Sequence, residues 1–502
     1  MPMAYPRPPR LLHLPRMLLV IVAILLTATS SCFHVTRIAR KRAVEHYNRG
    51  EHLMDADSCG AAESEFTAAI ELDPMFTEAY YNRGNSRLCT GDLELAIVDY
   101  SKVLGLDSTY ARAYSNRGLA YRRLGREGQA MADYNMATEL DPRLLQAYKN
   151  RGILCYEMSD YDNALRDFAK VLSGDPHCAD LYQVRADIYL KRAQFNLAID
   201  DLTRFLDLVP ENADAHNSRG IGYAMIGDTA TALIDYDKAI ELEPSFTVAL
   251  VNRANLHLQE GRFDLAVSDY TRALELDPTL TRLYERRAEA YRGAGEIDTA
   301  IEDFRRAIGS GGATVDTYHG LADAHLAAGD YNQAIDVYST IIELDSQDVT
   351  AYINRGLAYT ELGMPGQASE DYTRVIEMQP LSAESYNNRG AAYAKMAKYS
   401  RAIADFSRAI ELNPDYATAY CNRGNIYHFL DEYGKALSDF DKAIELDPRY
   451  SRAYYEKGRV YEDTIRFREA VEAYTDALKL GGAGESTYSD RARDRLEALK
   501  EQ

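Results

Sequence analysis

Tryptophan is absent from this chain of 502 residues, and cysteine is scarce, with six in all. So few thiols cannot form a disulfide scaffold. No CxxC pair occurs, which argues against a zinc module. Basic residues are outnumbered, 57 to 77, for a formal net charge of −20. Broad nucleic-acid binding needs cations facing phosphates and is disfavoured. At 46% hydrophobic and 27% charged residues, the chain is neither disordered nor a multi-span membrane protein.

The charge is uneven. Residues 1–42 contain Arg7, Arg10, Arg16, Arg37, Arg40, Lys41 and Arg42 and no acid, a charge of +7. The remaining 50 basic residues (57 less 7) face all 77 acids, so the body carries −27. Within the basic arm, Arg7, Arg10 and Arg16 precede an apolar run from Met17 to Leu26, followed by Thr27-Ala28-Thr29-Ser30-Ser31-Cys32. A basic start, a short apolar stretch and small residues describe a targeting segment. Three outcomes fit. Cleavage before Cys32 with lipidation makes a lipoprotein, although Thr29 departs from the usual Leu. Ala28 and Ser30 also suit an ordinary signal peptidase, whose cleavage releases the chain. Retention of Met17 to Thr36 leaves a single membrane span. Each implies that the body is exported or held at the cell envelope.

From Ala43 the chain repeats every 34 residues without insertion or deletion, thirteen times, to Gly484. Each unit reads as two short amphipathic helices. Position 20 of the unit is Ala in all thirteen, from Ala62 to Ala470, and position 8 is Gly or Ala. Small residues there let two helices approach closely. Positions 4, 11 and 24 are mostly aromatic and fill the space around them, as Tyr420, Tyr427 and Phe440 do. Position 32 is Pro in nine units, from Pro74 to Pro448, and ends the second helix.

The period and these positions resemble the tetratricopeptide repeat family over 43–484, with Tyr usually replacing the family's Trp at position 4. The resemblance implies an all-α, right-handed superhelix of thirteen helix-turn-helix repeats. Its first helices line a concave groove. Residues 485–502, with Tyr488 and Ala492, read as a solvating C-terminal capping helix.

Position 7, apolar in the family, is Arg in eleven units, and position 23 is Asp in ten. The exceptions change together: Leu321 with Val337, Lys457 with Ala473, and Arg49 with Glu65. The two positions lie at similar heights in an antiparallel hairpin, which predicts an Arg–Asp contact within most repeats. The alternative is two independent solvated faces.

In this family position 6 lies on the groove side. Here it is Asn48, Asn82, Asn116, Asn150, Asn252, Asn354, Asn388 and Asn422. A side-chain amide both donates to and accepts from a peptide bond. The row resembles the asparagine ladder of O-linked N-acetylglucosamine transferases, and it implies binding of extended peptide segments of partner proteins. Val184, Ser218, Arg286, Gly320 and Glu456 interrupt it, so two shorter tracks are expected. The other reading is that these amides only join neighbouring helices. The family's carboxylate clamp is incomplete, with Asn252, Arg282 and Arg286 present but Asn217 and Ile221 in place of its Lys and Asn. Arg282, Arg286 and Arg287 still suggest a local anion site.

Signals for an enzyme are poor. His46, His216, His257 and His325 occupy aromatic positions. Asp55, Asp57 and Gly60 echo a calcium loop, but Cys59 and Phe66 fill ligand places. Gly309 to Gly312 lack a following Lys-Ser or Lys-Thr and read as a helix cap, with a hinge nearby. Only 18 residues follow the repeats, too few for a catalytic domain, and no cofactor or metal site is expected. The expected function is a non-catalytic, envelope-tethered scaffold for protein partners. The alternatives are a structural or assembly factor using an acidic outer surface, and a regulatory subunit of a separate enzyme.

Overall fold

A computed structural model describes residues 37–480 and 486–500. Cys32, the run from Met17 to Thr36, and Gly481, Gly482 and Gly484 lie outside the described residues. Among the described residues there are 27 helices and no strand. We number them α1 to α27 in chain order. Odd numbers up to α25 are the first helix of a pair, and the following even number is the second. The chain is an all-α solenoid of thirteen consecutive helix pairs closed by one more helix. It divides at Leu242 and Glu243 into two compact bodies. No helix among the described residues is long and apolar enough to cross a membrane.

In the first body, α1 covers 37–55 and is followed by α2 (Cys59–Leu72), α3 (Thr77–Thr90) and α4 (Leu93–Leu106). The helix of the first repeat already runs through 37–42, residues counted above with the targeting arm. The alanine at position 20 is fully buried in every repeat, as at Ala96 and Ala130. Position 8 is as tight: a Cβ on Gly84 would stand 2.7 Å from the Tyr100 ring. Cys59 and Cys89 form a disulfide joining α2 to α3. This cross-link was not foreseen. Cys155 is buried and Cys178 half-buried, both as free thiols.

In the second body, the twelfth repeat shows how each pair is built. Its first helix, α23 (Ala417–Phe429), ends at Asp431 in a left-handed conformation, φ 58°. The next N–H, of Glu432, returns 2.8 Å to the Tyr427 carbonyl, a bond that satisfies an orphan carbonyl at the helix end. Position 15 has positive φ in all thirteen repeats, although it is Gly in only seven. The second helix, α24 (Tyr433–Leu446), stops at position 30. The Asp447 carboxylate then accepts the Arg449 N–H at 2.9 Å. The same turn forms at Asp107 and Asp345, where serine replaces proline at position 32. The side-chain turn therefore accompanies the helix end with or without proline.

Helix α16 (Ile297–Gly309) ends at the glycine run, with Gly311 left-handed, and Thr314 and Thr317 form a capping box on α17 (Val315–Ala328). The last helix, α27 (Ser486–Lys500), covers the thirteenth repeat. Tyr488 lies 5.7 Å from the Tyr455 ring, Ala492 is fully buried, and Arg495 pairs with Glu462.

Candidate peptide-binding face

Ten repeats carry the same two-point pairing. The position-7 guanidinium donates through Nε and Nη2 to both carboxylate oxygens at position 23, sixteen residues on, at 2.5–3.0 Å. The predicted contact is present, and it is desolvated: the Asp99 side chain is 1% exposed and that of Arg83 is 14%. In eight repeats Nη1 reaches back sixteen residues to a polar side chain of the preceding second helix, as from Arg423 to Ser407. Tyrosines at positions 4 and 11 flank the cation, with Arg423 5.7 Å from Tyr420 and 5.9 Å from Tyr427. Hydrogen bonding to Asp439 holds the Arg423 guanidinium above its usual range. These arginines join helices and are not free to receive a ligand.

The exceptions follow the same logic. Leu321 packs with Phe304 and Val337 in an apolar cluster. Arg49 pairs with Glu65 at 3.0 Å. Lys457 has Ala473 at position 23 of its own repeat in place of an acid and turns to Asp441, 2.6 Å away.

The asparagines at position 6 are divided among several environments. Asn48 is exposed and lines one cavity of about 530 Å³ with Asn82 and Asn85. Asn82 donates to the Tyr47 hydroxyl at 3.0 Å, and Asn116 donates to Tyr81 and Asn85. Asn422 donates to Asn387, and Asn388 accepts from Asn387. Asn150 is buried and accepts from Gln146. Asn252 and Asn354 are half-buried. Three amides, Asn82, Asn116 and Asn422, thus tie their first helix to the one before it, as the second reading of the row expected, while Asn48 and Asn82 also face open space.

Of the arginines read as an anion site, Arg287 is committed to Asp303 at 2.6 Å. It therefore leaves that group. Arg286 pairs with Glu289, and Arg282 is exposed. The histidines are structural: His46 bonds Glu65, His216 bonds Asp235, and burial holds the His325 imidazole below its usual range.

One cavity lies where the asparagine row breaks. About 310 Å³ opens between α7 (Leu145–Glu157), α9 (Ala179–Lys191) and α11 (Ala213–Met225), lined by Tyr156, Gln183, Asp187 and Asp214 among others. The Tyr156 hydroxyl donates to Asp187 at 2.7 Å, and Gln183 donates to Asp214 at 2.9 Å. Sequence reasoning missed these residues because it followed position 6 alone, and they stand at positions 2, 5, 9 and 12.

Sequence profiles described as "Tetratricopeptide repeat" match 111–144, 247–280, 383–416 and 417–450. These segments begin and end where four of the 34-residue units do. Further profiles of the family match 89–125, 322–363, 184–245, 281–310, 349–380 and 451–480. Together they span well over half of the chain. No curated protein matches it. Among solved structures, MamA is 31% identical over 32% of this chain and 94% of its own, with a TM-score of 0.30. YrrB, described as a TPR protein with an unusual peptide-binding site, is 25% identical over 37% of this chain and 95% of its own, with a TM-score of 0.34. The C-terminal part of a TPR repeat-containing protein from Cytophaga hutchinsonii is 18% identical, covers 49% and 99%, and has a TM-score of 0.41. By its repeat period, its helix pairs and these profile matches, the chain belongs to the tetratricopeptide repeat family and is a protein–protein interaction scaffold.

Proposed function

We propose that this scaffold is non-catalytic and binds extended segments of partner proteins along the open side of its first helices. The observation that carries the reading is the cavity shared by Asn48, Asn82 and Asn85. Asn48 presents its whole amide there, and Asn82 keeps one N–H and one carbonyl lone pair beside its bonds to Tyr47 and Asn85, which suits a main chain whatever its side chains. Replacing Asn48, Asn82 and Asn85 together by Ala and repeating affinity capture from detergent-solubilised membranes tests this. Loss of partners is expected. An unchanged set of partners rejects binding by this track.

We further propose that the repeats are exported and tethered at the cell envelope through the N-terminal segment. The Cys59–Cys89 disulfide supports this, because such bonds persist in oxidising compartments and are rare in reducing ones. Mass analysis of the mature N-terminus tests the tether. An acylated chain beginning at Cys32, or an intact arm extracted only with detergent, is expected. An unmodified chain in the soluble fraction rejects it.

A further inference from the structure

We infer that the cavity between the first helices of the first two repeats receives a cationic side chain, Lys or Arg, of the bound segment. The inference rests on the peptide-binding reading above and adds a chemical preference to it.

The cavity has two unlike walls. On α3 stand Asn82 and Asn85, and on α1 stand Asn48, Glu51, His52 and Asp55. Glu51 and Asp55 are four residues apart and therefore neighbours on one helix face. Both are exposed, and Glu51 accepts a hydrogen bond only from the neutral Tyr47 hydroxyl, at 2.7 Å. The arginines of these repeats turn the other way. Arg49 pairs with Glu65, Arg83 with Asp99, and Arg87 with both Glu63 and Asp99. Arg37 and Lys41 share the α1 stripe of Asn48 but lie at least seven residues before it, about 10 Å or more along the axis. Glu78, exposed at the start of α3, stands one turn before Asn82 and outside the lining. The cavity thus carries two carboxylates with which no lysine or arginine of its two helices pairs, and His52, exposed on the same lining, bonds neither.

Its form fits the same guest. Met54 is half-buried on the lining, an apolar surface for the methylene stem of Lys or Arg, with the charged head directed to the carboxylates. Asn48 and the spare N–H and carbonyl lone pair of Asn82 remain for the main chain on either side. An acidic segment would meet Glu51 and Asp55 at close range and be repelled.

The test uses the full-length chain in detergent and a displayed library of random decapeptides. The expected result is enrichment of Lys or Arg at one position. For a selected peptide, changing that residue to Gln should weaken binding about fivefold, the order expected of a partly exposed ion pair. The same change should matter less than twofold against the Glu51→Gln, Asp55→Asn variant, which keeps its thermal transition because both side chains are exposed. Peptides selected without a basic position, or an undiminished preference in the variant, overturn the inference but leave peptide binding standing. Failure to select any peptide overturns both. Displacement of selected peptides by a synthetic peptide of residues 1–16 would assign the cavity to the chain's own basic arm and overturn the partner assignment.

Discussion

Arg423 and Asp439 meet through two parallel hydrogen bonds of 2.8 Å each, and the third donor of the same guanidinium reaches Ser407 of the preceding repeat at 2.9 Å. The pair is mostly desolvated, with the carboxylate 8% exposed. Removing one partner leaves a buried charge. Asp439→Ala should therefore cost about 2–4 kcal/mol in denaturant unfolding. The double change Arg423→Leu, Asp439→Val reproduces the apolar pair found at Leu321 and Val337 and should recover most of that loss. Single variants with unchanged midpoints would show that the pair contributes nothing.

Ile465 holds a left-handed backbone, φ 59°, at the turn of the thirteenth repeat and is exposed. A β-branched residue is strained there, and glycine is not. Ile465→Gly should raise stability by about 1 kcal/mol, read as a higher melting temperature. A fall would mean that the exposed side chain makes a contact worth more than the strain.

The disulfide between Cys59 and Cys89 closes a loop of 30 residues. Its removal by Cys59→Ser, Cys89→Ser should destabilise the first repeats by up to about 3–4 kcal/mol. Hydrogen exchange should show the loss in α1 to α4, with distant repeats unaffected. Wild type and variant with identical exchange in the absence of reductant would mean the bond does not form.

His325 is buried beside Arg305, and burial, then that cation, lowers its imidazole below the usual range. The unfolded chain then binds a proton that the folded chain does not, so stability is full above about pH 6.5 and declines as pH falls toward the lowered value. His325→Phe should flatten this part of the stability profile between about pH 7 and pH 5. An identical slope in both proteins would assign the acid sensitivity elsewhere.

Much of this was legible because identical positions recur thirteen times. The Arg–Asp contact could be read from its exceptions, since Leu321 and Val337 lose charge together. The left-handed turn could not, because Gly91, Ser159, Ala193, Asp431 and Ile465 share a backbone conformation and no side-chain chemistry. Nor could the disulfide, because Cys59 and Cys89 stand at positions 17 and 13, which hold cysteine in no other repeat. The asparagine row was legible as a row. What each amide does depends on its neighbour at position 5, which is Tyr47 for Asn82 and Asn387 for Asn422.

The backward reach of Arg423 to Ser407 means that the cooperative element is not the 34-residue period. It is three helices, two from one period and one from the period before. Coupling between adjacent periods then passes through these arginines, as in a one-dimensional chain of nearest-neighbour terms. Leu321 carries no such tie, and Ala169 stands sixteen residues before Arg185 in place of a polar side chain, so the fifth and ninth periods are the weak links at which partial unfolding of the array should start.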